Sequence, residues 1–469
     1  VPDSDLIYQN KYKLFTVGAI GTFMATLDGS ILNVALPTIA DYLHVSVDVV
    51  AWVVLAYSLT LISLMLAFGA WAGQRGYSFA YRFGFVLFIL GSGSCAFSHD
   101  IYQLIIARVI QATGTAMFAA IGPGMITTIF PPNERGKGMG LIVMMVSAGF
   151  MIGPPLGGFL LSVWPWQSIF LINIPIGLVG LYMTYRYFGL MPIPTSHRKI
   201  PLKGAASISI ALVLGTLALT LLNDYSISDV RIWGTASVSL IAAIAFLRFE
   251  SNAHTAMIGL SIFKNRQFTT AIGAMVFMFI ATSGVLLLIP FYLQEIKLFL
   301  PRQVGMFLII LPIMMFIMAP LSGRYSDKIG YRLLTSAGVI VLGAGLLILA
   351  GLHVDSTNGY IIGALVVVGA GVGLFSTPNS SALMGSVTEE QRAVTSGILG
   401  TTRNIGMSIG VALCTSLFSY FKAHKAFEMG KNAAFIFSYH RVIYIAAIFA
   451  AVSLIFCLTR RNRLQPVTK

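Results

Sequence analysis

Long apolar stretches separated by short polar gaps dominate the chain, and these stretches set the architecture. A helix needs roughly 20 mostly apolar residues to cross a bilayer. Runs of that kind fall at 14–39, 49–72, 79–97, 101–129, 139–161, 168–190, 203–223, 231–249, 268–293, 303–325, 333–352, 358–384, 395–421 and 439–459. They predict fourteen membrane-spanning helices. The first run is read as a span and not as a signal peptide, because it is long and contains Asp28. Composition agrees. Of 469 residues, 57% are hydrophobic and 10% charged, with a mean hydropathy of +0.85, whereas soluble domains carry about 25% charged residues. The expected class is an all-α, multi-pass membrane protein.

The net charge of +14 suggests nucleic-acid binding only until the charges are located. They sit in the gaps. With an even number of spans both termini share one side, and that side holds 21 of the 30 Lys and Arg residues. The other side holds seven: Arg231, Lys297, Arg302, Lys422, Lys425, Lys431 and Arg441. Such a bias marks the terminal side as cytoplasmic, in a bacterial inner membrane. The loop expected at 422–441 carries four of the seven exceptions. Cys95, Cys414 and Cys457 show no CxxC spacing, so neither a disulfide framework nor zinc is expected. No phosphate loop, Ser-His-Asp set or metal spacing is visible, and an enzyme is not expected.

An internal repeat organises the spans. Glu134-Arg135 precedes Gly149 and Gly153, and Gln391-Arg392 precedes Gly406 and Gly410, each 257 residues on. Gly69 to Gly76 resembles Gly323 to Gly330 at an offset of 254. The expected units are a six-helix bundle at 14–190, a linker with two extra helices at 191–267, and a second six-helix bundle at 268–459. Repeated halves are a transporter organisation, with the site near the bilayer midplane between them.

Ionisable groups at mid-span are costly and have partners or functions. Three stand out: Asp28 in the first span, Arg108 in the fourth and Arg403 in the thirteenth. Burial disfavours a carboxylate's charge and a nearby guanidinium favours it, so switching surroundings couples proton binding to conformation. The alternative is a permanent ion pair tying two helices together. Gln111 extends the polar face of Arg108 along its helix, and Asn33 faces either a cavity or a neighbouring helix. Arg403-Asn404 forms a second polar pair at depth. Gly149, Gly153 and Gly157, with Pro154 beside them, suit close helix packing or a hinge. Met315, Phe150, Phe277 and Phe375 are either cavity lining or packing. Two arginines against one carboxylate point to neutral, weakly anionic or monocationic lipophilic cargo.

Several segments resemble a known family. LDGSILNVALP (Leu27 to Pro37) looks like the first-helix signature of the fourteen-helix drug/proton antiporters of the major facilitator superfamily. RVIQATG (Arg108 to Gly114), GFMIGPPLGG (Gly149 to Gly158) and WQSIFLINIPIG (Trp166 to Gly177) are similar to its fourth-, fifth- and sixth-helix stretches. The resemblance implies the major facilitator fold and proton-driven export of amphipathic compounds. It also implies coupling through Asp28 and Arg108, and exchange governed by the fifth-helix glycines. One departure is clear. The loop after the second span has Gly73 where the family's gating Asp belongs, while the second-half copy keeps Asp327 and Arg332. Gating is therefore expected at Asp327. The partners implied are protons, a lipophilic small molecule and lipid, with no cofactor and no nucleic acid, in a monomer. The alternatives are a transporter dedicated to one metabolite, such as an organic acid or siderophore, and a non-transporting scaffold or receptor.

Overall fold

The computed structural model describes residues 4–191, 202–224, 229–251, 256 and 258–460. Residues 192–201, at the start of the expected 191–267 linker, lie outside them. Fourteen described helices are long and apolar enough to span a bilayer. They are α1 (Lys11–Leu43), α2 (Val47–Arg75), α3 (Tyr77–Ala96), α4 (Ile101–Ile129) and α5 (Arg135–Val163). Next come α6 (Ser168–Leu190), loosened at Ile172, then α7 (Leu202–Asp224), α8 (Val230–Glu250) and α9 (Arg266–Phe291). The rest are α10 (Pro301–Ile329), α11 (Tyr331–Leu349), α12 (Asn358–Gly385), α13 (Arg392–Met429) and α14 (Lys431–Leu458). Helices satisfy their own backbone polar groups, the condition for lying in hydrocarbon.

One boundary differs from expectation. The polar stretch after residue 421 is helical through Met429, and only Gly430, at a φ of 77°, separates α13 from α14. At a 1.5 Å rise per residue, the 38 residues of α13 run about 57 Å, beyond a hydrocarbon core of roughly 30 Å. The helix therefore continues past the apolar run expected to end at 421. Lys422 there pairs with Glu295 at 3.1 Å.

Packing follows the repeat. α1 lies against α4, α5 and α6; α4 also packs on α2 and α3; and α3 packs on α6. Each of these six pairings recurs eight helices later, with α9 against α12, α13 and α14, α12 on α10 and α11, and α11 on α14. Gly76 and Gly330 end α2 and α10 at φ of 89° and 85°. That backbone conformation suits glycine, and it recurs at equivalent places. α7 lies over the junction of α2 and α13, with α8 behind it. Ser209 of α7 donates to the Ser63 carbonyl of α2 at 2.7 Å.

The halves meet along two equivalent seams, α5 with α10 and α2 with α13. Both are tight at the end of the bundle that carries the chain termini. A Cβ on Gly69 would lie 2.8 Å from the Ala393 carbonyl, and one on Gly140 would lie 2.6 Å from that of Ala319. Further along the same stripe of α5, Pro154 is exposed and Gly158 has nothing within 4 Å. The α5–α10 seam is thus closed at the terminal end and splayed at the other.

Candidate functional site

Asp28 and Arg108 are 2% and 1% exposed, deep inside the first half. Arg108 of α4 donates to Asp28 Oδ2 at 2.6 Å and to Gln111 Oε1 at 2.5 Å. Gln111 donates in turn to Asp28 Oδ1 at 2.8 Å and to Ser92 of α3 at 2.8 Å. Asn173 of α6 completes the carboxylate's shell, donating to Oδ1 at 2.9 Å. Above the guanidinium lies the ring of Tyr57 from α2, 4.0 Å from its carbon, and the Tyr57 hydroxyl donates to Thr115 at 3.0 Å. The spacing of Arg108, Gln111 and Thr115 on one helix face creates this line of polar groups. Side chains from α1, α2, α3, α4 and α6 therefore converge on one carboxylate. Two buried atoms, Arg108 Nε and Asn173 Oδ1, have no protein partner in the described structure.

The cluster is wired to the helix seam next to it. Ser30, two residues beyond Asp28, donates to the Gly149 carbonyl of α5 at 3.0 Å. A Cβ on Gly149 would collide with Thr26, and one on Gly153 with Ser30. A Cβ on Gly157 would lie 3.3 Å from the Ile31 carbonyl oxygen. The glycine row thus lets α5 lie directly on α1 beside the carboxylate. Pro154 stands on the opposite, open side.

At the terminal end, Asp327 of α10 reaches across to the start of α5. Its Oδ1 accepts from the Gly136 N–H at 2.8 Å and its Oδ2 from the Lys137 N–H at 3.0 Å. A carboxylate on the first free N–H groups of a helix satisfies them and complements the helix dipole. Arg332 makes no side-chain hydrogen bond or ion pair in the described structure. The equivalent place in the other seam holds Gly73, whose Cβ would lie 3.4 Å from that of Ala393.

The remaining expected residues scatter. Asn33 is exposed on α1, on the face of Gly29 and Pro37, and is not part of the cluster. Phe150 is 49% exposed and falls between the α5 stripes that meet α1 and α10. Met315 is half-buried beside Gly373 of α12. Arg403 is half-buried, and Asn404 next to it approaches the Met65 sulfur of α2 at 3.6 Å. Phe277 is stacked against Phe449 and Phe456 of α14, and Phe375 is 1% exposed in the core of the second half. Both fill helix packing and neither faces the gap between the halves. Sequence reading missed Asn173, Ser92 and Tyr57. Asn173 carried a signal, being a lone amide in the apolar sixth span; Ser92 and Tyr57 are of types too common in such helices to be noticed.

Comparison with known proteins identifies the family. The chain is 32% identical over 448 residues to the riboflavin transporter RibZ of Clostridioides difficile, covering 95% of this chain and 97% of that protein. It is 30% identical over 417 residues to the multidrug resistance protein Stp of Mycobacterium tuberculosis, covering 87% and 76%. In fold it is similar to the human organic anion transporter MFSD10, with a TM-score of 0.64 at 14% identity over 94% of this chain and 99% of that one. The profile of the Major Facilitator Superfamily matches residues 18–411. With fourteen helices, two equivalent seams and that match, the chain belongs to the Major Facilitator Superfamily and is a membrane transporter.

Proposed function

We propose that this transporter is a proton-coupled antiporter that exports lipophilic or amphipathic small molecules by alternating access. The observation that carries the reading is the shell around Asp28: one carboxylate buried in the first half and held by donors from α4 and α6. A carboxylate at that depth is costly unless it is used, and neutralising it changes the hold of every donor around it. A proton arriving at Asp28 removes the charge that holds Arg108. The loosened α1 then moves against the glycine row of α5, and α5 carries the change to its far end, where Gly136 and Lys137 meet Asp327. In the arrangement described, Asp28 is covered, so the proton is exchanged when the shell opens.

The Lys- and Arg-rich terminal end is cytoplasmic in this reading, and the closed seams there make the conformation open to the outside. Residues 14–190 and 268–459 act as the two rocking units. A single copy holds both, and protons are the only coupling partner required. The decisive measurement is transport by purified protein in liposomes under an imposed pH gradient, with Asp28→Asn beside the unaltered protein. Gradient-driven accumulation that survives Asp28→Asn overturns the coupling role.

A second reading has one specific support, the similarity to a riboflavin transporter over nearly the whole chain. On that reading the cargo is one dedicated metabolite. The same liposomes, offered a flavin and a set of unrelated lipophilic dyes, separate the two.

A further inference from the structure

The fully buried arginines among the described residues have partners, and half-buried Arg403, deeper in its span than Arg135 or Arg332, has none. Arg108 has Asp28, Arg392 has Glu389 at 2.7 Å, and Arg460 has the Asn379 side chain at 2.6 Å. Arg403 makes no hydrogen bond and no ion pair in the described structure, although it lies about three turns inside α13. Its side chain is half-buried and so borders open space.

That space lies between the halves. Arg392, Ser396 and Arg403 share one stripe of α13, at spacings of four and seven residues. Lower on the stripe, the Arg392 carbonyl and Ser396 pack on Gly124 of α4, and the Arg392 guanidinium reaches the Thr127 carbonyl at 3.4 Å. The stripe therefore looks into the first half. Asn404 touches Met65 of α2, which puts Arg403 beside the α2–α13 seam on its first-half side. Asp28 is committed to Arg108, Gln111 and Asn173, and Asp327 to the start of α5. A guanidinium inside a membrane-spanning helix, without hydrogen bond or ion pair in the described structure, lacks its counter-charge.

We infer that Arg403 is the anchoring point for a carboxylate or similar single negative charge on an amphipathic cargo. A planar guanidinium takes a carboxylate in two-pronged fashion, and Met65, with its adaptable thioether, offers the apolar part of such a molecule a surface. The inference rests on the transport reading for its meaning as a cargo site, while the binding itself can be measured separately.

The test uses the purified full-length protein in detergent and two fluorescent probes, dansyl-glycine and its uncharged methyl ester. Unaltered protein is expected to bind the acid at least about tenfold more tightly than the ester, the scale of one charge-assisted hydrogen bond. Arg403→Gln should erase that preference, and an unaltered thermal unfolding temperature in the same detergent shows that the variant is folded. Arg403→Lys should keep part of it, a point charge replacing the fork. Equal binding of acid and ester by the unaltered protein, or a preference that survives Arg403→Gln, overturns the inference. If the charge preference holds but liposomes show no gradient-driven flux, the antiport reading fails and the anion site stands.

Discussion

Gly136 and Gly323 meet backbone to backbone across the α5–α10 seam, so closely that a Cβ on either would collide with the other's carbonyl oxygen. No other residue type permits that approach. Gly136→Ala should therefore wedge the terminal end open. Overpacking of this kind costs about 1–3 kcal/mol, a population shift of roughly 5- to 150-fold. Distances between spin labels on the terminal ends of α5 and α10 measure it, and should lengthen in the variant.

Asp327 latches one seam, and Gly73 leaves the other without an equivalent. Asp327→Ala removes a helix cap, with an expected loss of about 1 kcal/mol, and should populate the form open at the terminal end. Gly73→Asp should do the reverse, giving the start of α13 the acceptor it lacks. The expected outcome is slower turnover with the terminal end held shut, read from transport rate and label distances together.

Asp28→Asn keeps the shape of the cluster and removes its charge. Arg108 loses a hydrogen bond to a charged partner, a contribution of about 1.5–3 kcal/mol, so thermal stability in detergent should fall. Under the antiport reading, flux in unaltered protein rises as the external side is made more acidic, because protons enter there to drive export. The variant should lose that dependence while still exchanging labelled for unlabelled cargo when no gradient is present.

The glycine row can be tested with its own control. Gly153→Ala sets a methyl group against Ser30 and should destabilise the protein by about 1–3 kcal/mol. Gly158→Ala, with nothing within 4 Å, should leave stability unchanged. Thermal unfolding of the two variants in the same detergent decides between a packed seam and a merely glycine-rich helix.

The spans were legible because hydrocarbon imposes a length and a polarity on any helix that crosses it; the run at 101–129 coincides with α4. Asp28, Arg108 and Gln111 were legible for a related reason, since polar groups at depth are too costly to be idle. Faces were harder to read. A helix that is apolar all round gives no sign of which side meets a neighbour, so Phe277 and Phe375 were indistinguishable from Phe150 until packing separated them. The end of α13 was misread because a polar helix end and a loop share the same composition.

The pairing of α7 and α8 over one seam has a consequence for the molecule's surroundings. Viewed from within the bilayer, one flank between the halves is boarded up by a helical hairpin, and the opposite flank, past Pro154 and Gly158, has no such shutter. A greasy solute dissolved among the acyl chains would meet a blank wall from one direction and an unguarded doorway from the other. The twofold kinship of the halves is therefore broken where it faces lipid, giving this transporter a front and a back.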